Sequence, residues 1–247
     1  MRTLATRQLL EVEEQLIHDA KAAAREIAAT EGLDGLTLAE VARRVDVSSP
    51  ALYRYFDGRP GLIRALYDDL TTDLIDTVAA AVHGQDPDNL SAQLRAGIRA
   101  ILTWATANRA GFSLLVGDAH PVAAASEDGI PQVFPRELGG FFGLLFLELD
   151  RRGHLTYPTD EHIEPVLRRQ LDTYRQAVMP ELPLGVVLLM LTCWRQVYGT
   201  VGIAVSQHLD FTFPDIEAFR AHVGSSPCSA SPPAPTRTDD LAGNLSG

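Results

Sequence analysis

Apolar residues recur at helical spacing through most of the chain, and no segment shows the sustained alternation of apolar and polar residues that is typical of strands. The spacing predicts a first helix over residues 6–31, which Gly32 ends. Two short helices should follow, and then a longer one over residues 59–83. We therefore expect an all-α fold that begins with three helices.

Helical spacing resumes after a polar break at residues 84–88 that is rich in Asp, Gly and Pro. Further helices are predicted over residues 90–108, 109–116, 132–152, 160–178, 183–209 and 215–223, with a loop at 117–131. From residue 224 onward the sequence holds almost nothing to bury, so we expect disorder there. The predicted units are a helix-turn-helix domain (1–58), a connecting helix (59–83), a ligand-binding and dimerisation domain (84–223) and a disordered tail (224–247).

The most informative segment is 37–56, which predicts two short helices joined by a tight turn. Thr37 and Glu40 form a Thr-x-x-Glu capping box at the start of the first of them. Asp46 lies at the turn, where the backbone needs a residue that tolerates a left-handed conformation. Ser49 can cap the second helix. This arrangement describes a helix-turn-helix, and a helical hairpin that only packs against the rest of the protein is the alternative.

Short motifs lie in register across residues 32–62. They are Gly32, Leu36-Thr37-Leu38, Val41-Ala42, Val47-Ser48, Leu52-Tyr53-x-Tyr55-Phe56 and Arg59-x-x-Leu62. Together they resemble the DNA-binding domain of the TetR (tetracycline-repressor-like) family. Three features depart from the family pattern. Asp46 stands where Gly is usual, Ala28 stands where a bulky aromatic residue is usual, and Gly58, Pro60 and Gly61 make the start of the next helix unusual.

The resemblance implies a transcriptional regulator that binds double-stranded operator DNA. It assigns phosphate contacts to Thr37, Tyr53, Tyr55 and Arg59, and places Ser48, Ser49, Pro50 and Arg54 toward base edges. Of these side chains only Arg54 can make a bidentate contact with guanine, and a phosphate contact is its alternative role. For Tyr53 the alternative is a partly buried hydroxyl beneath the first helix.

The charge distribution is compatible with DNA binding although the net charge is −11. Residues 37–64 carry five arginines against three acidic residues, so a basic segment lies within an acidic chain. Such a segment fits a compact surface for DNA on a protein with a second role.

Two features predict a cytoplasmic protein. The N-terminal residues hold no apolar run of the signal-peptide kind, and two cysteines, Cys193 and Cys228, are too few for a disulfide framework, so we expect them to be reduced. The most apolar stretch, 182–205, is interrupted by Arg195 and Gln196. A buried core helix explains that interruption better than a membrane span.

Aromatic residues in the second half predict a pocket for a mostly apolar small molecule. The run Trp194-x-x-x-Tyr198-Gly199 resembles a motif in the C-terminal domain of a TetR-family subgroup. The predicted lining is Trp104, Phe112, Phe142, Phe146, Trp194 and Tyr198, and plain core packing is the alternative for each. The resemblance also implies a homodimer formed by the last two long helices, with an interface of Leu184, Val187, Leu188, Leu191, Gly202 and Val205.

Enzyme motifs are absent from the sequence: there is no nucleophile elbow, no phosphate-binding glycine loop and no set of metal ligands at a known spacing. We therefore predict no catalytic residue, no metal and no cofactor. The expected function is a repressor that a small molecule releases from its operator. A helical ligand-binding or interaction protein without DNA binding is the alternative.

Overall fold

The computed structural model describes residues 2–116 and 133–206, and every regular element within them is helical, as predicted. The helices are α1 (Arg2–Gly35), α2 (Leu38–Arg44), α3 (Ser49–Leu52), α4 (Gly58–His83), α5 (Leu90–Ala107), α6 (Arg109–Val116), α7 (Val133–Arg151), α8 (Pro165–Val178) and α9 (Leu184–Ser206). A short 3-10 turn, Asp160–His162, precedes α8. The predicted loop at 117–131, the helix at 215–223 and the tail from 224 lie outside the described residues.

Two helix ends show how local chemistry sets the boundaries. In α1 the backbone of Gly32 has a φ of 73°, which interrupts the helix at the predicted residue before it resumes to Gly35. The helix predicted from residue 160 begins instead at Pro165, whose missing N–H suits the first turn. The Glu164 carboxylate accepts the backbone N–H of Leu167 at 2.9 Å and caps this start.

Helix α4 connects the N-terminal helices to the remainder of the chain through one continuous hydrophobic core. Its residues Leu62, Leu66, Leu70, Leu74 and Val78 are almost completely buried. They pack between α1 on one side and α5 and α6 on the other. Because one rigid helix belongs to both halves of the molecule, a displacement in the second half can reach the first.

Helix α9 lies partly in the core and partly at the surface. Leu184–Val205 is apolar and long enough to cross a membrane, and 33% of its most apolar window is buried within the chain. Val186, Val187 and Val201 are buried against neighbouring helices, as in the core helix of a folded domain. Burial of Leu184 and Val187 in their own protomer contradicts the predicted dimer interface at those two residues.

Gly185 at the start of α9 tests this packing. An added Cβ would overlap the carbonyl oxygen of Pro158 and the ring of Tyr157, and the backbone cannot yield. We expect Gly185→Ala to lower the thermal unfolding midpoint by several degrees, because overpacking costs about 1–3 kcal/mol.

Gly140→Ala in α7 is the matched control, since nothing lies within 4 Å of its added Cβ. It should keep or raise the midpoint, because Ala favours a helix over Gly by about 0.5–1 kcal/mol. If Gly185→Ala is as stable as the parent chain, the segment before α8 does not pack on α9 as described.

Candidate DNA-binding face and ligand cavity

The turn between α2 and α3 is held by two predicted local features. The Thr37 hydroxyl oxygen accepts the backbone N–H of Glu40 at 3.1 Å, so the predicted N-cap is confirmed. Asp46 has a φ of 54°, so the predicted left-handed residue is confirmed as well. The backbone N–H of Val47 then donates to the Ala42 carbonyl at 3.0 Å and closes the turn. Together these contacts fix the direction in which α3 leaves α2.

Helix α3 begins at a different residue from the one predicted. Ser48 occupies the N-cap position, so the cap predicted at Ser49 is wrong, and Ser49 is the first helical residue. Regular helix ends at Leu52, and single turns continue to Phe56, whose backbone N–H donates to the Leu52 carbonyl at 3.0 Å. Leu52 and Phe56 are buried, so this short segment is anchored from beneath.

The side chains opposite that anchor form an exposed surface, which we call the outer face and define as Thr37, Ser48, Pro50, Tyr53 and Arg54. All five are exposed, Tyr53 by 62%. This exposure contradicts the alternative in which Tyr53 lies beneath the first helix. Hydroxyl groups and a guanidinium group thus face outward over a short stretch of chain.

Two predicted site residues lie beside the outer face rather than on it. Ser49 and Tyr55 are each half-buried. The Tyr55 hydroxyl donates to the Glu13 carboxylate of α1 at 3.2 Å, and its ring packs against the core. Tyr55 therefore connects the turns that follow α3 to helix α1.

Arg54 is the most accessible cation of this region. Its side chain is 72% exposed, and its guanidinium lies 3.7 Å from the Glu13 carboxylate. The same group lies 5.8 Å from the centre of the Tyr55 ring. Ion pairs this exposed contribute little to stability, so Arg54 can exchange its carboxylate partner for another acceptor at small cost.

Arg59 makes contacts within the protein that the sequence did not suggest. Its guanidinium donates to the carbonyl oxygens of Leu33 and Leu36, at 2.7 and 3.1 Å, and so binds the end of α1 to the start of α4. Two of its nitrogens are therefore engaged. The phosphate contact expected of Arg59 stays a prediction. If Arg59 makes it, the same guanidinium would bond to the protein backbone and to phosphate.

The remaining arginines of the basic segment are paired with carboxylates. Arg44 lies 3.0 Å from Glu26, 2.8 Å from Glu31 and 3.4 Å from Glu40, which fastens α2 to α1. Arg43 also bonds to Glu40, and this hydrogen bond lowers the pKa of the Glu40 carboxyl. The surface available to DNA is therefore less basic than the arginine count suggests.

A cavity of about 330 Å³ lies among α5, α6, α7, α8 and α9. Its described lining consists of Leu94, Ile98, Leu115, Val116, Leu138, Gly139, Phe142, Phe146, Tyr174, Met190, Leu191, Cys193, Trp194, Val197 and Tyr198. No charged side chain occurs among these residues. Volume and lining both suit a small apolar ligand.

The structure brings together four of the six aromatic residues predicted for this pocket: Phe142, Phe146, Trp194 and Tyr198 all line it. Trp104 and Phe112 do not, which corrects the prediction. Phe112 is buried in the main core, with its ring centre 6.4 Å from that of Tyr198.

Cys193 corrects a further expectation. It is disulfide-bonded rather than reduced, and the other cysteine of the chain, Cys228, lies outside the described residues.

Trp104, which does not line the cavity, belongs to a polar cluster that connects three helices. We call this cluster the clasp and define it as Arg25, Asp69, Asp73 and Trp104. From α1, Arg25 reaches the Asp69 carboxylate at 2.8 Å and the Asp73 carboxylate at 3.1 Å, both on α4. The Trp104 indole N–H of α5 donates to the same Asp73 oxygen at 3.0 Å. The clasp therefore joins the N-terminal helix to the helices that surround the cavity.

This architecture defines a helix-turn-helix protein with a larger helical domain behind it. Residues 22–66, which hold α2, α3 and their supporting helix ends, match the family described as "Bacterial regulatory proteins, tetR family". The match to this family lies within the N-terminal part of the chain.

Relatives and solved structures extend the comparison. The HTH-type transcriptional regulator Rv1816 of Mycobacterium tuberculosis is 37% identical over 111 residues, which are 45% of this chain and 47% of that protein. The chain thus spans about half the length of the mycobacterial relatives it matches.

Among solved structures, the regulatory protein SCO4313 has a TM-score of 0.65 at 24% identity, covering 87% of this chain and 95% of its own. RolR in complex with resorcinol has a TM-score of 0.51 at 18% identity, covering 88% and 97%. At these identities the structures show a shared fold.

Proposed function

We propose that this chain is a sequence-specific DNA-binding transcriptional regulator, a cytoplasmic homodimer that represses at its operator until a small molecule releases it. The observation that carries the proposal is the outer face, which lies within residues 22–66, the segment that matches the tetR family. Its exposed Arg54 and Tyr53 are groups that bind nucleic acid, and they rest on a buried anchor. The competing functions are an enzyme, and a helical ligand-binding or interaction protein without DNA binding.

The proposed contacts follow from donor chemistry. Arg54 reads guanine, and Ser48, Ser49 and Pro50 lie against neighbouring base edges. Thr37, Tyr53, Tyr55 and Arg59 contact phosphates, for which hydroxyl and guanidinium groups are suitable donors. Because Tyr55 and Arg59 already bond within the protein, we expect them to contribute less to DNA affinity than the exposed Tyr53.

A mobility-shift assay with DNA from upstream of the protein's own gene tests this function. We expect a discrete complex that survives an excess of unrelated duplex, because base contacts add to phosphate contacts. Absence of a complex, or a complex that unrelated DNA removes as readily as the specific sequence, would favour the competing functions.

The homodimer is supported by a side of α9 whose residues are exposed or half-buried in the described structure. Thr192 and Gly202 are half-buried, and Gly199 and Ile203 are exposed, at a spacing that places them on one side of the helix. Among the described residues, nothing lies within 4 Å of a Cβ at Gly199 or Gly202, so a partner helix can approach closely there. We propose this face as the dimer interface.

The domain division follows the same reasoning. We propose a DNA-binding domain at 1–58, a connecting helix at 59–83, a ligand-binding and dimerisation domain at 84–223, and a tail from 224. The bounds of α4, Gly58–His83, support the second unit. The described part of the third unit contains all five helices that line the cavity, α5 to α9.

The cavity is the proposed site of the releasing molecule. It is apolar, of suitable volume, and lined by Phe142, Phe146, Trp194 and Tyr198. RolR, which shares the fold, forms a complex with resorcinol. We propose that a small apolar molecule in this cavity shifts α5 and α4, and that the clasp carries the shift to α1.

Asp73→Asn tests that transmission, because Asn can still accept the Trp104 indole N–H but cannot form an ion pair with Arg25. We use 4-phenylphenol as a mostly apolar probe small enough for the cavity. In the parent chain we expect the saturating probe to weaken operator binding about tenfold, which requires about 1.4 kcal/mol of coupling. In Asp73→Asn the effect should fall to about twofold, measured by fluorescence anisotropy of labelled operator.

The control is Asp76→Asn, an exposed carboxylate farther along α4, which should keep the full tenfold response. Probe affinity is measured in every variant. If Asp73→Asn responds to the bound probe as fully as the parent chain, the clasp does not transmit the signal.

A further inference from the structure

The lining of the cavity limits the chemistry of its ligand. Among the described lining residues no side chain is charged, and the hydroxyl groups are those of Tyr174 and Tyr198. A carboxylate or ammonium group brought into this cavity would lose its hydration without gaining an opposite charge from these residues, which is very costly. The cavity therefore favours neutral ligands.

The two hydroxyls differ in what they already bind. The Tyr198 hydroxyl donates to the Val116 carbonyl at 3.1 Å, so its proton is engaged. The Tyr174 hydroxyl makes no hydrogen bond with the described part of the chain. Burial raises the pKa of Tyr174, so this hydroxyl keeps its proton at neutral pH. One hydrogen-bond donor is thus left facing an apolar cavity.

Gly139 gives that hydroxyl its space. A Cβ at Gly139 would lie 2.6 Å from the Tyr174 oxygen, too close for an unstrained contact. Both residues line the cavity, so the absence of a side chain at Gly139 lets the Tyr174 hydroxyl lie close against this part of the cavity wall. A ligand oxygen in the cavity can accept the hydroxyl proton, and that hydrogen bond would satisfy a donor that the half-buried Tyr174 leaves unpaired with the described residues.

Building on the ligand-binding role proposed above, we infer that the cavity selects neutral, mostly apolar molecules with one hydroxyl or carbonyl oxygen, which the Tyr174 hydroxyl binds beside Gly139. Apolar contacts from α5, α7 and α9 supply most of the affinity. The hydrogen bond from Tyr174 discriminates among molecules of similar shape, because an analogue without the oxygen covers the donor and leaves it unpaired.

Equilibrium dialysis of the full chain with three matched probes tests this selection. The probes are 4-phenylphenol, biphenyl and biphenyl-4-carboxylate, which share a two-ring body and differ in one substituent. We expect 4-phenylphenol to bind about tenfold more tightly than biphenyl, the factor typical of one hydrogen bond, and the carboxylate to bind more weakly than 4-phenylphenol.

Two variants locate the effect. Tyr174→Phe should weaken 4-phenylphenol about tenfold and leave biphenyl within about twofold, which removes the preference. Tyr157→Phe is the matched control: it removes a hydroxyl that bonds to Asp150 at 2.7 Å and is not part of the described cavity lining. It should keep the preference, provided that unfolding midpoints show both variants to be folded.

Several outcomes would overturn the inference: no saturable binding of 4-phenylphenol, tightest binding of the carboxylate, or a preference for 4-phenylphenol that persists in Tyr174→Phe. Failure of the proposed function gives a different result. If the preference and its loss in Tyr174→Phe are observed, but saturating 4-phenylphenol leaves operator affinity unchanged, the ligand selectivity stands and the release mechanism does not.

Discussion

The Gly199→Arg variant is expected to be a monomer that has lost most of its affinity for operator DNA. Gly199 lies on the exposed side of α9, and no described residue lies within 4 Å of its Cβ, so this part of the protomer can accommodate the arginine. In the proposed interface the same side chain would bring a large charged group between two helices. A monomer binds one half-site only, so it loses the affinity gained when two linked protomers bind both half-sites. We expect operator affinity to fall at least about 100-fold.

Sedimentation equilibrium gives the mass of this variant, and fluorescence anisotropy gives its affinity for operator. Gly140→Arg in α7 is the control, because its Cβ also meets nothing within 4 Å among the described residues and Gly140 is not part of the proposed interface on α9. It should remain a dimer with parental affinity. A Gly199→Arg monomer that binds operator as tightly as the parent would remove dimerisation from the DNA-binding mechanism.

Arg54→Ala should cause the second large loss. The side chain is 72% exposed, so its removal leaves the core intact. A bidentate contact with guanine is worth about 1–3 kcal/mol, and a dimer has two half-sites, so we expect roughly 2–6 kcal/mol, or at least about 30-fold. Discrimination at one base position per half-site should relax in parallel.

The measurement is operator affinity for a set of duplexes that differ at single positions, at fixed salt concentration. Arg43→Ala is the matched control, since Arg43 is also exposed but bonds to Glu40 on α2, and its loss should change affinity little. Equal weakening across all duplexes in Arg54→Ala would reassign Arg54 to a phosphate.

Features set by neighbours in the sequence were predictable. Apolar spacing placed α4 within one residue of its observed range, Gly58–His83. The Thr37 cap and the left-handed Asp46 depend on residues a few positions away, so both could be read from the chain. The exposed Arg54 followed because Leu52 and Phe56 fix the buried side of α3.

Features set by distant partners were not predictable. Arg59 bonds to the carbonyl of Leu36, and Trp104 of α5 bonds to Asp73 of α4, and neither pairing leaves a local pattern. The chain holds 32 acidic residues, so no arginine could be assigned its carboxylate from the sequence alone. Tyr174 was not singled out for the same reason, because only the fold places its hydroxyl beside Gly139.

Selection of bound duplexes from a random-sequence DNA library tests the central claim most directly. The full chain is used at physiological salt, with unrelated competitor DNA, and selected duplexes are sequenced after several rounds. The dimer carries two equivalent outer faces related by its two-fold axis, so the selection should enrich one inverted repeat. A synthetic duplex of that sequence should bind at least about 1,000-fold more tightly than a scrambled duplex. A selected pool no different in sequence from the starting library would contradict sequence-specific DNA binding by this protein.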